Sequence, residues 1–130
     1  MPDYLDTSAL VKLVVAEAET EALLVWLAGR TGEATSSDLA RTELLRVVRR
    51  VAPDRLERAR RVLDSLTLLA LPTEAFEEAS RLAPPTMRSL DALHLAAALR
   101  LGDDLDAIVT YDDRLAGAAR LNGALSVGPV

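Results

Sequence analysis

Five carboxylates in this 130-residue chain occupy positions that ordinary surface charge does not explain well. Asp6 lies in Y-L-D-T-S-A-L-V-K-L, with apolar residues on both sides and no basic residue before Lys12. Glu43 lies in S-S-D-L-A-R-T-E-L-L-R-V-V, where counting by four gives the stripe Leu39, Glu43, Val47 and Val51. Asp91, in S-L-D-A-L-H-L-A-A-A-L, shares its stripe with Leu95, Ala98 and Leu99. Asp112 and Asp113 follow the apolar run D-A-I-V-T in T-Y-D-D-R-L.

If these acids meet, they repel. Two like charges about 4 Å apart cost roughly 4 kcal/mol at an effective dielectric near 20. Either some stay protonated, with raised pKa values, or a divalent cation neutralises them. An all-oxygen site suits Mg²⁺ or Mn²⁺. Zinc is poorly served, because the chain has no cysteine and a single histidine, His94. Mg²⁺ commonly bridges carboxylates to phosphate oxygens, and a cation held this way can activate a water and steady the charge developing on a phosphodiester.

Alternating strands and helices must bring the acids together. The pattern predicts a strand over Pro2–Asp6 and a helix over Ser8–Ala16 capped by Thr7 or Ser8. A second helix runs from Thr20 to Arg30, ended by Gly29 and Gly32, and a weak strand covers Ala34–Ser36. Ser37 or Asp38 caps a helix to Val51, stopped by Pro53, and another helix spans Asp54–Ser65. A strand follows over Thr67–Leu71, then a helix from its cap Thr73 to Leu82, ended by Pro84 and Pro85. Ser89 caps a helix over Leu90–Leu101; Ala107–Thr110 is a buried-type strand, Asp112–Leu121 a helix, and Ala124–Val127 the last strand.

This alternation implies crossover connections and a three-layer α/β/α fold with a mostly parallel central sheet. Such sheets bind ligands beyond the carboxyl ends of their strands. Asp6, Asp112 and Asp113 fall on that edge. The helices carrying Glu43 and Asp91 begin after connections from the same side, so their first turns belong there too.

Composition sets the frame. Half the residues are hydrophobic but only Tyr4, Trp26, Phe76 and Tyr111 are aromatic, so the core is aliphatic. The length fits one domain, residues 1–130, with no repeat, low-complexity tract or dividing linker. Without cysteine there is no disulfide framework and no thiol nucleophile, which fits a reducing compartment. There is no signal-peptide pattern at the start and no apolar run near the roughly eighteen residues a membrane span needs; the expected location is cytoplasmic, with no membrane partner. The net charge of −5 argues mildly against a nucleic-acid partner. That objection weakens because arginine clusters between Arg41 and Arg61, and because neutralising four gathered acids leaves the rest nearly balanced.

Together, Y-L-D-T-S-A-L-V-K-L, R-T-E-L-L-R-V, S-L-D-A-L-H-L-A-A-A and I-V-T-Y-D-D-R-L-A, in this order and at suitable separations, resemble the PIN domain, in particular the VapC-type toxins of bacterial and archaeal toxin–antitoxin pairs. The resemblance covers essentially the whole chain. It implies a PIN-like fold and a Mg²⁺- or Mn²⁺-dependent endoribonuclease, with Asp6, Glu43, Asp91 and Asp112 as the catalytic and metal-binding acids. Asp113 is the neighbouring candidate for the fourth place. Thr7, Ser8 and Thr110 stand where such proteins add hydroxyls around the metal. The resemblance also implies an RNA substrate, a cognate VapB-type antitoxin, a homodimer, and operator DNA bound only through the antitoxin.

Each acid also has an ordinary explanation. Asp6, Asp112 and Asp113 suit helix caps, and Asp91 suits a helix dipole. Glu43 is the least ordinary, since an unpaired Glu on an apolar stripe is costly; Arg41, Arg46 or a helix neighbour is its expected structural partner. For His94 a hydrogen-bonded packing role is expected ahead of a general base or ligand, and Trp26 is expected in the core. The arginine-rich stretch reads as a solvated helix face, part of which could meet phosphates. Among other functions, a PIN nuclease acting in RNA processing or on DNA without a toxin role is the alternative, and the short chain favours the toxin. A Mg²⁺-binding receiver-like signalling module would need an acidic pair after the first strand, an acceptor Asp on a middle strand and a late lysine. No Asp follows T-L-L-A-L, and Lys12 is the only lysine. A haloacid-dehalogenase-like phosphatase needs a second Asp where Ser8 stands.

Overall fold

β1 (Asp3–Leu5) and β4 (Ala107–Val109) are buried along their whole length, as strands covered on both faces must be. The computed structural model describes residues 1–130. Between and around these two strands lie β2 (Ala34–Ser37), β3 (Thr67–Leu69) and β5 (Ser126–Val127). The helices are α1 (Thr7–Val14), α2 (Thr20–Ala28), α3 (Leu39–Val51), α4 (Leu56–Ser65), α5 (Thr73–Ser80), α6 (Ser89–Leu99) and α7 (Asp113–Leu121). All five strands of the sequence reading are present; β2 runs one residue further than expected, to Ser37, and the other four are shorter than the apolar runs suggested.

The sheet order is β3-β2-β1-β4-β5 and every pairing is parallel. At least one helix separates each strand from the next, which is what parallel neighbours require. The chain moves outward from β1 to β3, then returns to the other side of β1 to lay down β4 and β5. The order therefore reverses between β1 and β4, and the crevice at such a reversal is where open parallel sheets bind ligands.

Side chains alternate across the sheet and build two cores. Leu5 and Val109 face α1, α2, α3 and α4, where Leu10, Val14, Leu23, Leu44, Val48 and Leu63 are buried. Tyr4 and Ile108 face the other way, against Leu95 and Ala98 of α6 and Leu115 and Ala118 of α7. α5 packs on α6 through Ala79, Ala92 and Ala96, small residues that let the two helices approach closely. This is the expected three-layer α/β/α arrangement.

Local details depart from the sequence reading in instructive ways. α1 is capped by Asp6, whose side chain accepts from the Ala9 amide, not by Thr7 or Ser8. Thr73 and Ser89 begin their helices without forming a side-chain cap, and Asp38 pairs with Arg41 instead of capping α3. Pro53 does stop α3, opening a short 3₁₀ turn before α4. Trp26 is only partly buried; it packs on the first core and carries Arg30 over its ring, 4.7 Å from the centroid. At the amino edge of the sheet, Arg30 holds the buried Asp3 by two bonds of 2.9 and 3.0 Å and reaches Asp106 at 3.4 Å. This clamp ties the end of α2 to the starts of β1 and β4.

Candidate active site

The carboxyl edge is organised around Asp6, which follows the central strand and is only 5% exposed. Ser8 Oγ donates to its Oδ1 at 2.6 Å, the Ala9 amide donates to the same oxygen at 3.1 Å, and Thr110 Oγ1 donates to Oδ2 at 2.6 Å. Burial nevertheless pushes the Asp6 carboxyl above the usual aspartate range, and these bonds only partly offset it. The hydroxyls are themselves anchored. Ser8 Oγ accepts from the Tyr111 amide at 2.9 Å, and Thr110 Oγ1 accepts from the Asp112 amide at 3.0 Å. The start of α1 and the end of β4 are thus sewn together across the reversal point.

Glu43 reaches this edge from the second turn of α3. Its Oε1 accepts from Thr7 Oγ1 at 2.8 Å and is bonded to His94 Nε2 at 2.5 Å. Burial raises the Glu43 carboxyl, but the His94 bond and charge and the Thr7 bond outweigh it, leaving it below the usual glutamate range. Its partners are therefore His94 and Thr7, and neither Arg41 nor Arg46; Arg41 is engaged with Asp38. The residues of α3 that enter the core are Ala40, Leu44 and Val48, one position on from the Glu43 stripe. Glu43 accordingly sits at the border of the core, partly open to the cleft, with its side chain 24% exposed.

His94 is buried on α6, and its second ring nitrogen, Nδ1, lies 2.7 Å from the Tyr4 hydroxyl. That hydroxyl also bonds Ser37 Oγ at 2.9 Å, at the end of β2. Burial drives the Tyr4 phenol well above its ordinary value, so it remains a neutral hydroxyl. The hydrogen-bonded packing role read for His94 from the sequence is present, and it ends on a candidate site acid.

Asp91 stands in the first turn of α6, half-buried, with no hydrogen-bond donor from the protein. Its carboxyl is pushed up by burial and then by the charges of Asp112 and Asp6; His94 and Arg88 compensate only in part. Asp112 caps α7, its Oδ1 accepting from the Arg114 amide at 2.9 Å and the Leu115 amide at 3.4 Å. Asp113, exposed at the start of α7, lines a surface depression with Pro84, Thr86 and Gly117 that none of the four acids enters. Of the two, Asp112 and not Asp113 is the aspartate whose charge acts on Asp91.

The structure brings Asp6, Glu43, Asp91, Asp112, Thr7, Ser8 and Thr110 to one edge. The acids do not close into a finished cage, since no three Asp, Glu or His side chains surround a common point. Mg²⁺ needs only one or two carboxylates directly, the rest of its sphere being water and substrate oxygens. The donors on offer are all oxygen, two of the carboxyls are raised, and Asp91 has no protein partner; a hard divalent cation fits that set. An apolar groove of about 500 Å³ between α5 and α6, lined by Phe76, Leu82 and Met87, contains none of these acids.

Sequence reasoning missed Tyr4 and Ser37 as parts of this edge. Tyr4 alternates with Asp3 and Leu5 along β1, and its polar tip was the available signal, because a buried tyrosine hydroxyl needs a partner.

The family model of the PIN domain matches residues 4–121. Ribonuclease VapC47 of Mycobacterium tuberculosis is 45% identical over 130 residues, covering 97% of this chain and 96% of that protein. The crystal structure of VapC20 from the same organism, described as a sarcin-ricin loop cleaving toxin, matches with a TM-score of 0.76 at 16% identity, over 98% of this chain and 99% of that one. VapBC2 of Rickettsia felis, solved with a DNA fragment from its promoter, gives a TM-score of 0.70 at 16% identity and full coverage of both chains. At such low identity, the two structures speak for the shared fold alone.

Proposed function

The chain belongs to the PIN-domain family, and from that premise we propose that it is a Mg²⁺- or Mn²⁺-dependent endoribonuclease, the toxin of a VapBC-type toxin–antitoxin pair. The observation that carries the metal-dependent part is Asp91: a half-buried carboxyl with no protein donor, raised by burial and by two neighbouring aspartates. Such a group is short of a cation. The ribonuclease part rests on the 45% identity, over nearly the full length, to a VapC ribonuclease.

In this reading Asp6, Glu43, Asp91 and Asp112 hold the metal, with Thr7, Ser8 and Thr110 fixing their orientation. When bound, the cation supplies Lewis-acid stabilisation of phosphoryl charge and lowers the pKa of a coordinated water. The protein's own contribution is placement. Ser8, Ala9 and Thr110 lock both oxygens of Asp6. Thr7 and His94 meet Glu43 on Oε1 alone. Asp112 spends Oδ1 on capping α7. One oxygen each of Glu43 and Asp112, and both of Asp91, are left without a protein donor.

The partners follow the same reading: an RNA substrate, a VapB-type antitoxin, a homodimer, and operator DNA through the antitoxin. Among the structural relatives, VapBC2 of Rickettsia felis was solved bound to a DNA fragment from its promoter, and a toxin–antitoxin complex was solved from Klebsiella pneumoniae.

The test is cleavage of RNA by the purified chain with Mg²⁺ or Mn²⁺, alongside Asp6→Asn and Asp91→Asn. Metal-dependent cleavage by wild type, lost in both variants, is expected. Equal cleavage by all three would assign the activity to a contaminant and defeat the proposal.

A further inference from the structure

We infer that His94, backed by the Tyr4 hydroxyl, is a positioning residue that presents Oε2 of Glu43 to the cation. The inference rests on the metal-dependent reading above and goes beyond the four acids.

The geometry has three parts. First, both donors to Glu43, Thr7 Oγ1 and His94 Nε2, fall on Oε1, and no protein donor meets Oε2. A free glutamate side chain rotates among many conformers; two donors on one oxygen select the few in which the other oxygen faces outward. Second, those donors come from α1 and α6, which lie on opposite faces of the sheet. Glu43, on α3, is therefore fixed against both helical layers rather than to its own helix. Third, both ring nitrogens of His94 are occupied, Nε2 by Glu43 and Nδ1 by Tyr4, and the residue is only 3% exposed. His94 has no nitrogen free to coordinate a metal itself. Its ring is set by Tyr4, which meets it edge-on with centroids 5.8 Å apart, and Tyr4 is in turn held by Ser37.

A buried histidine that merely packed would need hydrogen-bond partners, but not partners that converge on one oxygen of a cleft acid. Outer partners of metal-binding side chains typically contribute about 10- to 100-fold to metal affinity.

The experiment measures Mn²⁺ binding by calorimetry on the full chain, with circular dichroism to verify folding. His94→Leu removes the donor to Glu43, and His94→Gln keeps an amide N–H near the position of Nε2. The expected result is about tenfold weaker Mn²⁺ binding for His94→Leu, with most of the affinity restored in His94→Gln. In a Glu43→Gln background, His94→Leu should cause no further loss, because the two residues act as one unit. Tyr4→Phe deletes only the supporting hydroxyl and should weaken binding about threefold, a smaller loss than for the direct partner; it decides the question if His94→Leu does not fold.

Wild-type affinity in folded His94→Leu or in Tyr4→Phe would overturn the inference. So would an undiminished effect of His94→Leu in the Glu43→Gln background, which would locate the effect in packing. A wild-type chain that takes up no Mn²⁺ would sink the metal-dependent reading itself, and this inference with it.

Discussion

Thr110 Oγ1 donates to Asp6 Oδ2 at 2.6 Å, joining two residues 104 positions apart across the reversal point of the sheet. Thr110 is 3% exposed and also accepts from the Asp112 amide. One hydroxyl thereby sets the relation between the acids that follow β1 and β4.

Thr110→Val keeps the shape and removes the hydroxyl. It leaves a buried carboxylate oxygen without its donor, at a cost of about 1–3 kcal/mol. Urea denaturation should show that loss, and the Asp6 carboxyl should titrate higher still by carbon-detected NMR.

Asp91→Asn is expected to separate activity from stability. It removes a carboxyl that burial and its neighbours hold above its usual range, and breaks no protein hydrogen bond. Cleavage should vanish while the metal-free protein becomes more stable, by up to about 1 kcal/mol given the partial solvent access. A thermal melt in EDTA checks this; a lower melting temperature than wild type would contradict it.

Acidity should act on the metal-free protein in two opposing ways. Asp6 and Asp91 have raised folded-state pKa values, so the native state binds more protons than the unfolded chain between the ordinary value of 3.8 and the raised ones. Their contribution is fully present below 3.8 and is lost as pH rises through the raised values. Glu43 behaves conversely: its contribution is present above the ordinary 4.5 and is lost as pH falls through its depressed value. Denaturation in EDTA from pH 4 upward should therefore show stability declining through the range just above the usual carboxylate values, and Mn²⁺ should abolish the decline.

The amino edge offers a control remote from chemistry. Arg30→Met leaves the buried Asp3 carboxylate without its two-bonded partner, which costs about 3 kcal/mol when a buried pair is broken on one side. Asp3→Asn combined with Arg30→Met should recover part of the loss. RNA cleavage by the folded fraction should be unchanged at low temperature.

What could be read from sequence divides along physical lines. The layers and the parallel sheet followed from alternating apolar runs and helical stretches, and Asp6, Asp91 and Asp112 could be placed because strand ends and helix starts bear local marks. The face of α3 could not. Leu39, Val47 and Val51 form one apolar stripe and Ala40, Leu44 and Val48 the next; period alone does not say which enters the core. Nor does any local mark link Glu43 to His94, 51 positions away, or Tyr4 to Ser37 on the neighbouring strand. Helix caps failed similarly: Asp6, Thr7 and Ser8 can each cap α1, and the one that does, Asp6, is also bonded by Thr110, a hundred residues later.

The order of the strands bears on how the polypeptide emerges from a ribosome. β1 is made well before its neighbour β4 and the acid beyond it, which come after residue 106. Until then Asp6 lacks one wall of its crevice and Asp91 lacks Asp112. A partly synthesised chain thus carries Asp6, Glu43 and Asp91 without a closed site, and the crevice is completed only when β4 pairs with β1.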